Sequence, residues 1–190
     1  MGGAPLGGVP ALVLTISDGV ASGGRVDESG AALADRLRAL GATVERDVVP
    51  DEPARIAARI RAGAATHALI VSTGGTGLTP RDVTPQAVRP ILDLEIPGLG
   101  EAMRAAGRAA TPLADLSRSL GGIVGRSLVV CVPGSPRGAV ESLAAIEPLL
   151  GHALETVAGP HDHGRPAASS PASTPASPRP TPGLEEEDAD

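Results

Sequence analysis

The sequence predicts an α/β domain built on a mostly parallel sheet with helices on both faces. Three observations predict it. Short continuous apolar runs, at 11–16, 68–71 and 128–132, are each bounded by turn residues, as strands buried on both faces are. Between the first two lie segments whose apolar residues recur at helical spacing. Each run empties into a loop of Gly, Pro, Ser or Asp, and in a parallel sheet such loops gather on one rim, where ligands bind.

The elements follow in order. Ala11-Leu12-Val13-Leu14-Thr15-Ile16 reads as the first strand and stops at Ser17-Asp18-Gly19. Glu28 to Leu40 carries Ala32, Leu33, Leu37 and Leu40 on a helical stripe, and Gly41 closes it as a C-cap. Thr43 to Val49 is β-branched enough for a second strand, ended by Pro50-Asp51-Glu52-Pro53. Ile56 and Ile60 sit four apart on the next helix, which Gly63 ends. His67 to Ser72 is the third strand. Thr84 and Pro85 are expected as the N-cap and first residue of a helix through Leu92. Pro97-Gly98 breaks the chain before a helix from Leu99 to Arg108. Gly121 to Val132 reads as a hairpin turning near Gly125, and Pro133-Gly134-Ser135-Pro136 ends it. Ala139 to Val157 is helical, with a kink or break expected at Pro148.

The 190 residues suit one domain, expected over 10–159 after a flexible stretch at 1–9. Residues 160–190 are rich in Pro, Ala, Ser and Thr and end almost wholly acidic, so disorder is expected there. That tail carries −4 of the net charge of −6. All sixteen basic residues are Arg and there is no Phe, Tyr or Trp. With neither a basic field nor stacking rings, nucleic acid is an unexpected partner. A chain with no run approaching the length of a membrane span and no apolar leader is expected in the cytoplasm, with no membrane partner.

The loop after the third strand carries the chemistry. Thr73-Gly74-Gly75-Thr76-Gly77 presents bare N–H groups, and such concavities hold anions, above all phosphate. It lacks the Lys of a P-loop, and Pro80 stands where a dinucleotide fingerprint needs its last Gly. Asp51 and Asp82 each follow a strand beside a proline, and hard carboxylate oxygens suit Mg²⁺ bound together with substrate phosphates. Asp18 and Glu52 repeat the argument more weakly. Arg81, Arg118 and Arg137 could clamp phosphate, and Ser117 and Ser135 could donate to it or cap helices. His161 and His163 lack a third ligand, and Cys131 reads as a small packed residue.

Taken together, Thr15-Ile16-Ser17-Asp18, Val49-Pro50-Asp51-Glu52, Thr73 to Pro85, Pro97 to Arg104, Leu116-Ser117-Arg118 and Pro133-Gly134-Ser135-Pro136 resemble the MogA/MoaB molybdenum-cofactor family and the similar G domains of gephyrin. The likeness spans about Ala11 to Gly159 with every block in order. It implies a three-layer α/β/α sandwich whose mainly parallel sheet has one antiparallel strand. It also implies Mg-ATP-dependent adenylylation of molybdopterin, release of pyrophosphate and hand-off to a molybdate-inserting enzyme.

Carried over by position, Asp51 and Asp82 are the essential, Mg²⁺-holding pair. Thr73, Gly74, Gly75, Thr76, Gly77, Ser17, Asp18, Pro133, Gly134 and Ser135 are implied for ATP and phosphate, and Ser117, Arg118 and Arg81 for the pterin. Ser135 departs from the Asn frequent in the related Pro-Gly-x-Pro loop. The family's usual homotrimer, or a hexamer, is the expected assembly. A catalytically inactive pterin-binding or scaffold homologue is the alternative.

Overall fold

The computed structural model describes residues 4–159. In chain order the elements are β1 (Pro10–Ile16), α1 (Asp18–Ala21), α2 (Glu28–Ala39), β2 (Thr43–Val49), α3 (Pro53–Ala64), β3 (Leu69–Thr73), α4 (Thr84–Val88), β4 (Leu94–Glu95), α5 (Pro97–Gly107), β5 (Leu120–Val124), β6 (Ser127–Val132) and α6 (Pro136–Ala158). They build one six-stranded sheet in the order β2-β1-β3-β6-β5-β4. The first four strands of that order are mutually parallel, and β5 runs antiparallel to both its neighbours. The expected mostly parallel sheet with one opposed strand is therefore borne out.

Successive strand side chains point to opposite faces, and both faces are covered. Ala11, Val13, Leu69, Val71, Leu128 and Val130 pack with Leu33 and Leu37 of α2, Met103 of α5 and Leu143 and Ile146 of α6. Leu12, Leu14, Ile70, Val129 and Cys131 pack on the other side with Ile56 and Ile60 of α3 and Val88 of α4. Burial on both faces is why these strands read as unbroken apolar runs rather than alternating ones. Ile56 and Ile60 are fully buried, each contributing about 1.5–3 kcal/mol of apolar burial.

Several expectations need correction. The stretch 1–9 is not free over residues 4–9. Leu6 is buried, its N–H bonds the Leu40 carbonyl at 2.9 Å and Gly8 N–H bonds Gly41 at 3.0 Å. Thr84 is not an N-cap; its hydroxyl goes elsewhere, and α4 stops at Val88. Pro90, which has no N–H to donate, turns the chain into a 3₁₀ turn over Arg89–Ile91. Pro148 does not break α6, which runs through it. Pro148 and Ala144, the residue whose carbonyl loses its helical donor, are both exposed, so the missing bond falls on the solvent side of the helix. Helix α1, strand β4 and a 3₁₀ turn over Pro112–Leu116 are elements the sequence reading does not contain. His161, His163 and the 160–190 tail lie outside the described residues.

Candidate functional site

Strands β1, β2, β3 and β6 end on the same rim, so the loops after them meet. Asp18 and Asp51 lock the first two together: Asp18 N–H donates to Asp51 Oδ2 at 2.9 Å and Asp51 N–H to Asp18 Oδ1 at 3.0 Å. Thr73 Oγ1 donates to the Pro133 carbonyl at 2.7 Å, tying β3 to the loop after β6. Gly74 and Gly75 both take left-handed backbone, at φ 105° and 62°. The crowding leaves no alternative to glycine. A Cβ on Gly74 would stand 2.2 Å from the Ile16 carbonyl oxygen, and one on Gly75 would stand 2.3 Å from Thr84 Oγ1.

Thr84 is a site residue the sequence reading missed. It is fully buried, its N–H donates to Gly75 O at 3.1 Å and its hydroxyl to Gly74 O at 2.8 Å. With the loop's carbonyls thus held inward, the N–H groups of Gly75 and Thr76 have no protein acceptor among the described residues. They are the donors an anion needs.

Asp82 is positioned by a local turn. Its Oδ2 accepts from Thr79 N–H at 2.7 Å and Thr79 Oγ1 at 2.6 Å, while Asp82 N–H donates back to Thr79 O at 3.0 Å. Partial burial would raise its carboxyl. The Thr79 bonds, the nearby Gly77 N–H and the Arg118 charge outweigh that and hold it below the usual carboxylate range. Asp18 is also held low, by the Asp51 N–H first and then by its ion pair with Arg81. Thr79 was missed as well, although Thr-Pro-Arg-Asp is turn chemistry that could have pointed to it.

Two clefts flank this rim. One, of about 500 Å³, is polar: Ser17, Thr73, Gly74, Asp51 and Arg81 line it, with Asp27, Glu28 and Arg25. The other, of about 530 Å³, is lined by Leu78, Met103, Leu113 and Leu116 with Thr76, Gly77, Ser117 and Pro133. Gly75, Asp82, Gly134 and Ser135 line both and form the wall between them.

Most of the phosphate candidates gather around one wall, though Asp18 lines neither cleft; of the three pterin candidates, Ser117 and Arg118 share a third, smaller cleft of about 300 Å³, and Arg81 lies apart from them. Ser117 faces the apolar cleft, Arg81 the polar one, and Arg118 lines neither, donating instead through Nε to Gly77 O at 2.7 Å and through its other nitrogen to Asp82 O. Glu52 pairs with Arg55 at 3.1 Å, and Arg137 pairs at 2.7 Å with Glu141, which borders the apolar cleft. The hydroxyls of Ser17 and Ser135 cap α1 and α6. Burial pushes the Cys131 thiol up to about 11, so it is inert packing.

The polar cleft carries four carboxylates, Asp27, Glu28, Asp51 and Asp82, against two guanidiniums. A polyphosphate entering it needs a cation. Asp51 Oδ2 accepts from Asp18 N–H, and Asp82 Oδ2 from Thr79 N–H and Oγ1, so each carboxylate keeps an oxygen, Oδ1, that neither of these contacts uses. No group of three or more His, Cys, Asp or Glu side chains converges among the described residues. A metal there would have two protein oxygens and would need phosphate oxygens to complete its shell, which is how Mg²⁺ is commonly held. No described helix is long and apolar enough to cross a membrane.

Residues 12–152 match the family described as a probable molybdopterin binding domain. The chain is 45% identical over 161 residues to a molybdenum cofactor biosynthesis bifunctional protein of Synechococcus elongatus, covering 84% of this chain and 50% of that one. It is 34% identical to the molybdopterin adenylyltransferase of Escherichia coli, over 75% of each. Thus it spans about half the length of the Synechococcus relative. Among solved structures, the molybdopterin biosynthesis enzyme MoaB from Thermus thermophilus superposes with a TM-score of 0.73 at 45% identity, covering 78% of this chain and 96% of that one. The molybdopterin biosynthesis Mog protein from Mycobacterium ulcerans gives 0.75 at 36%, covering 79% and 99%.

Proposed function

The chain belongs to the molybdenum-cofactor biosynthesis family of molybdopterin-binding domains, and from that membership we propose that it adenylylates molybdopterin with Mg-ATP, releasing pyrophosphate. One observation carries the reading: two clefts of unlike chemistry meet at a single wall that holds Asp82 and Gly75. A reaction that joins two phosphorylated molecules needs that arrangement, with the reacting phosphates meeting at the wall.

In this reading the terminal phosphate of molybdopterin attacks the α-phosphate of ATP, a new P–O bond forms and the bond to pyrophosphate breaks. The Gly75 and Thr76 N–H groups hold phosphate oxygens in line. Asp51 Oδ1 and Asp82 Oδ1 are the oxygens that would hold Mg²⁺, which when bound supplies charge neutralisation between the two anions and polarises the α-phosphate. No protein nucleophile is required; catalysis is positioning and electrostatics. The pterin, finding no aromatic platform, lies against Leu and Met side chains of the apolar cleft and is oriented by Ser117. The same proposal takes a homotrimer in the cytoplasm, and hand-off of the adenylylated pterin, as its working context.

Incubating the full chain with molybdopterin and Mg-ATP should release pyrophosphate and form adenylyl-molybdopterin in equal amounts. Tight pterin binding with no pyrophosphate would instead make this a binding or scaffold homologue. Full activity in Asp51→Ala or Asp82→Ala would overturn the metal assignment.

A further inference from the structure

We infer that Arg118 is a positioning residue that holds Asp82 in the wall between the clefts, and is not a ligand for the pterin. The inference rests on the adenylyltransferase reading for its kinetic arm only.

Residue 118 touches the catalytic loop three times. Its N–H donates to Thr76 O at 3.0 Å, its Nε to Gly77 O at 2.7 Å, and its terminal nitrogen to Asp82 O. These acceptors are the two ends of one loop. Between them, Leu78 to Arg81 form no helix or strand and are exposed, with Leu78 at 65%. The Thr79–Asp82 turn fixes the Asp82 carboxylate relative to that loop, and the turn's own tie to the rim is the exposed ion pair of Arg81 with Asp18. Arg118 adds a half-buried tie, spanning both ends of the loop with one rigid planar group. Its half-buried guanidinium borders neither of the two clefts that meet at the wall; it lies at a smaller one of about 300 Å³ lined also by Arg89, Arg104 and Ser117, with Nε and one terminal nitrogen already committed to Gly77 O and Asp82 O.

The division of labour along the chain is compact: Ser117 faces the apolar cleft, and the next residue braces the wall. A lysine could not replace the brace. One ammonium on a flexible stem keeps the charge but lacks the fixed fork that reaches two carbonyls at once.

The test uses the full chain with Arg118→Ala and Arg118→Lys. Amide exchange by NMR, molybdopterin affinity and pyrophosphate release are read on each. In both variants the Thr79 and Asp82 amides should exchange roughly tenfold faster or more, since they would open locally rather than globally, while β3 and β6 amides keep their protection. Molybdopterin affinity and KM should stay within about twofold, and kcat should fall by about 10²-fold, the scale of a misplaced catalytic group.

Weaker pterin binding with unchanged loop exchange would overturn the inference and make Arg118 a ligand. Full rescue by lysine would overturn it too, leaving charge rather than the two-carbonyl span as the operative contact. If the wild-type chain releases no pyrophosphate, the adenylyltransferase reading fails by itself, and the exchange and affinity arms still decide the role of Arg118.

Discussion

The two clefts are nearly equal in volume, about 500 and 530 Å³, and opposite in construction. The polar cleft is held by reciprocal hydrogen bonds among charged side chains and loop backbone, as between Asp18 and Asp51. The apolar cleft is walled by α5, the start of α6 and the Pro112–Leu116 turn, with Leu113 and Leu116 more than half exposed at its lip. Where charge is handled, geometry is over-determined, because a misplaced carboxylate loses its electrostatic function within an ångström. Where a ring must be received, shape and apolar area are enough, so fewer constraints are built in.

The largest expected effect breaks the wall they share. Asp82→Asn should lower kcat for adenylyl transfer by about 10²–10³-fold, the usual loss of one preorganised electrostatic group. Asp51→Asn should lower it comparably while leaving molybdopterin affinity intact, because Asp51 lines the polar cleft alone. If Asp51→Asn weakens pterin binding, the division between the clefts is wrong.

A smaller effect comes from the loop under both clefts. Gly74→Ala places a Cβ on the Ile16 carbonyl at a positive φ, so it should cost about 1–3 kcal/mol in urea unfolding and impair both ligands together. Loss of one ligand only would mean the wall is not a single rigid piece.

Smaller still is a change confined to the apolar lip. Leu113→Ser should raise the molybdopterin KM about fivefold, equivalent to about 1 kcal/mol of apolar contact. The melting temperature and the Mg²⁺ dependence should hardly move, since Leu113 is 67% exposed in the free protein. A shifted Mg²⁺ dependence would merge the clefts into one site.

The smallest effect is that of pH. Asp18 and Asp82 are held below the ordinary carboxylate range, so each stabilises the folded, ionised form. That contribution is complete above the unfolded value of about 4 and is lost as pH falls through the lower folded value. These two groups should leave thermal stability flat from about pH 8 to 5 and reduce it only below about pH 4. A loss between about pH 7 and 5 that Asp82→Asn removes would show that Asp82 titrates high, and that the turn and Arg118 do not hold it ionised.

The sequence by itself determined the parallel strands of the sheet, the two covered faces, the glycine loop and the place of Asp51 and Asp82 in loops on its rim. Their signals are local: an unbroken apolar run marks a strand buried on both faces, and the turn residues after it mark the rim. Only the tertiary structure decided the rest. Leu6 is a single apolar residue with no periodicity, and its place depends on a bond to Leu40, 34 residues on. Strand β4, two residues long, exists only because β5 pairs with it. Thr84 reads as a cap because a Thr-Pro pair is one in isolation, but the Gly74 carbonyl ten residues earlier claims its hydroxyl. Which cleft each candidate faces, and that Arg118 turns its guanidinium toward carbonyls 41 and 36 residues away, are likewise set by chain crossings. A residue's type limits what it can bond, but long-range packing chooses the partner.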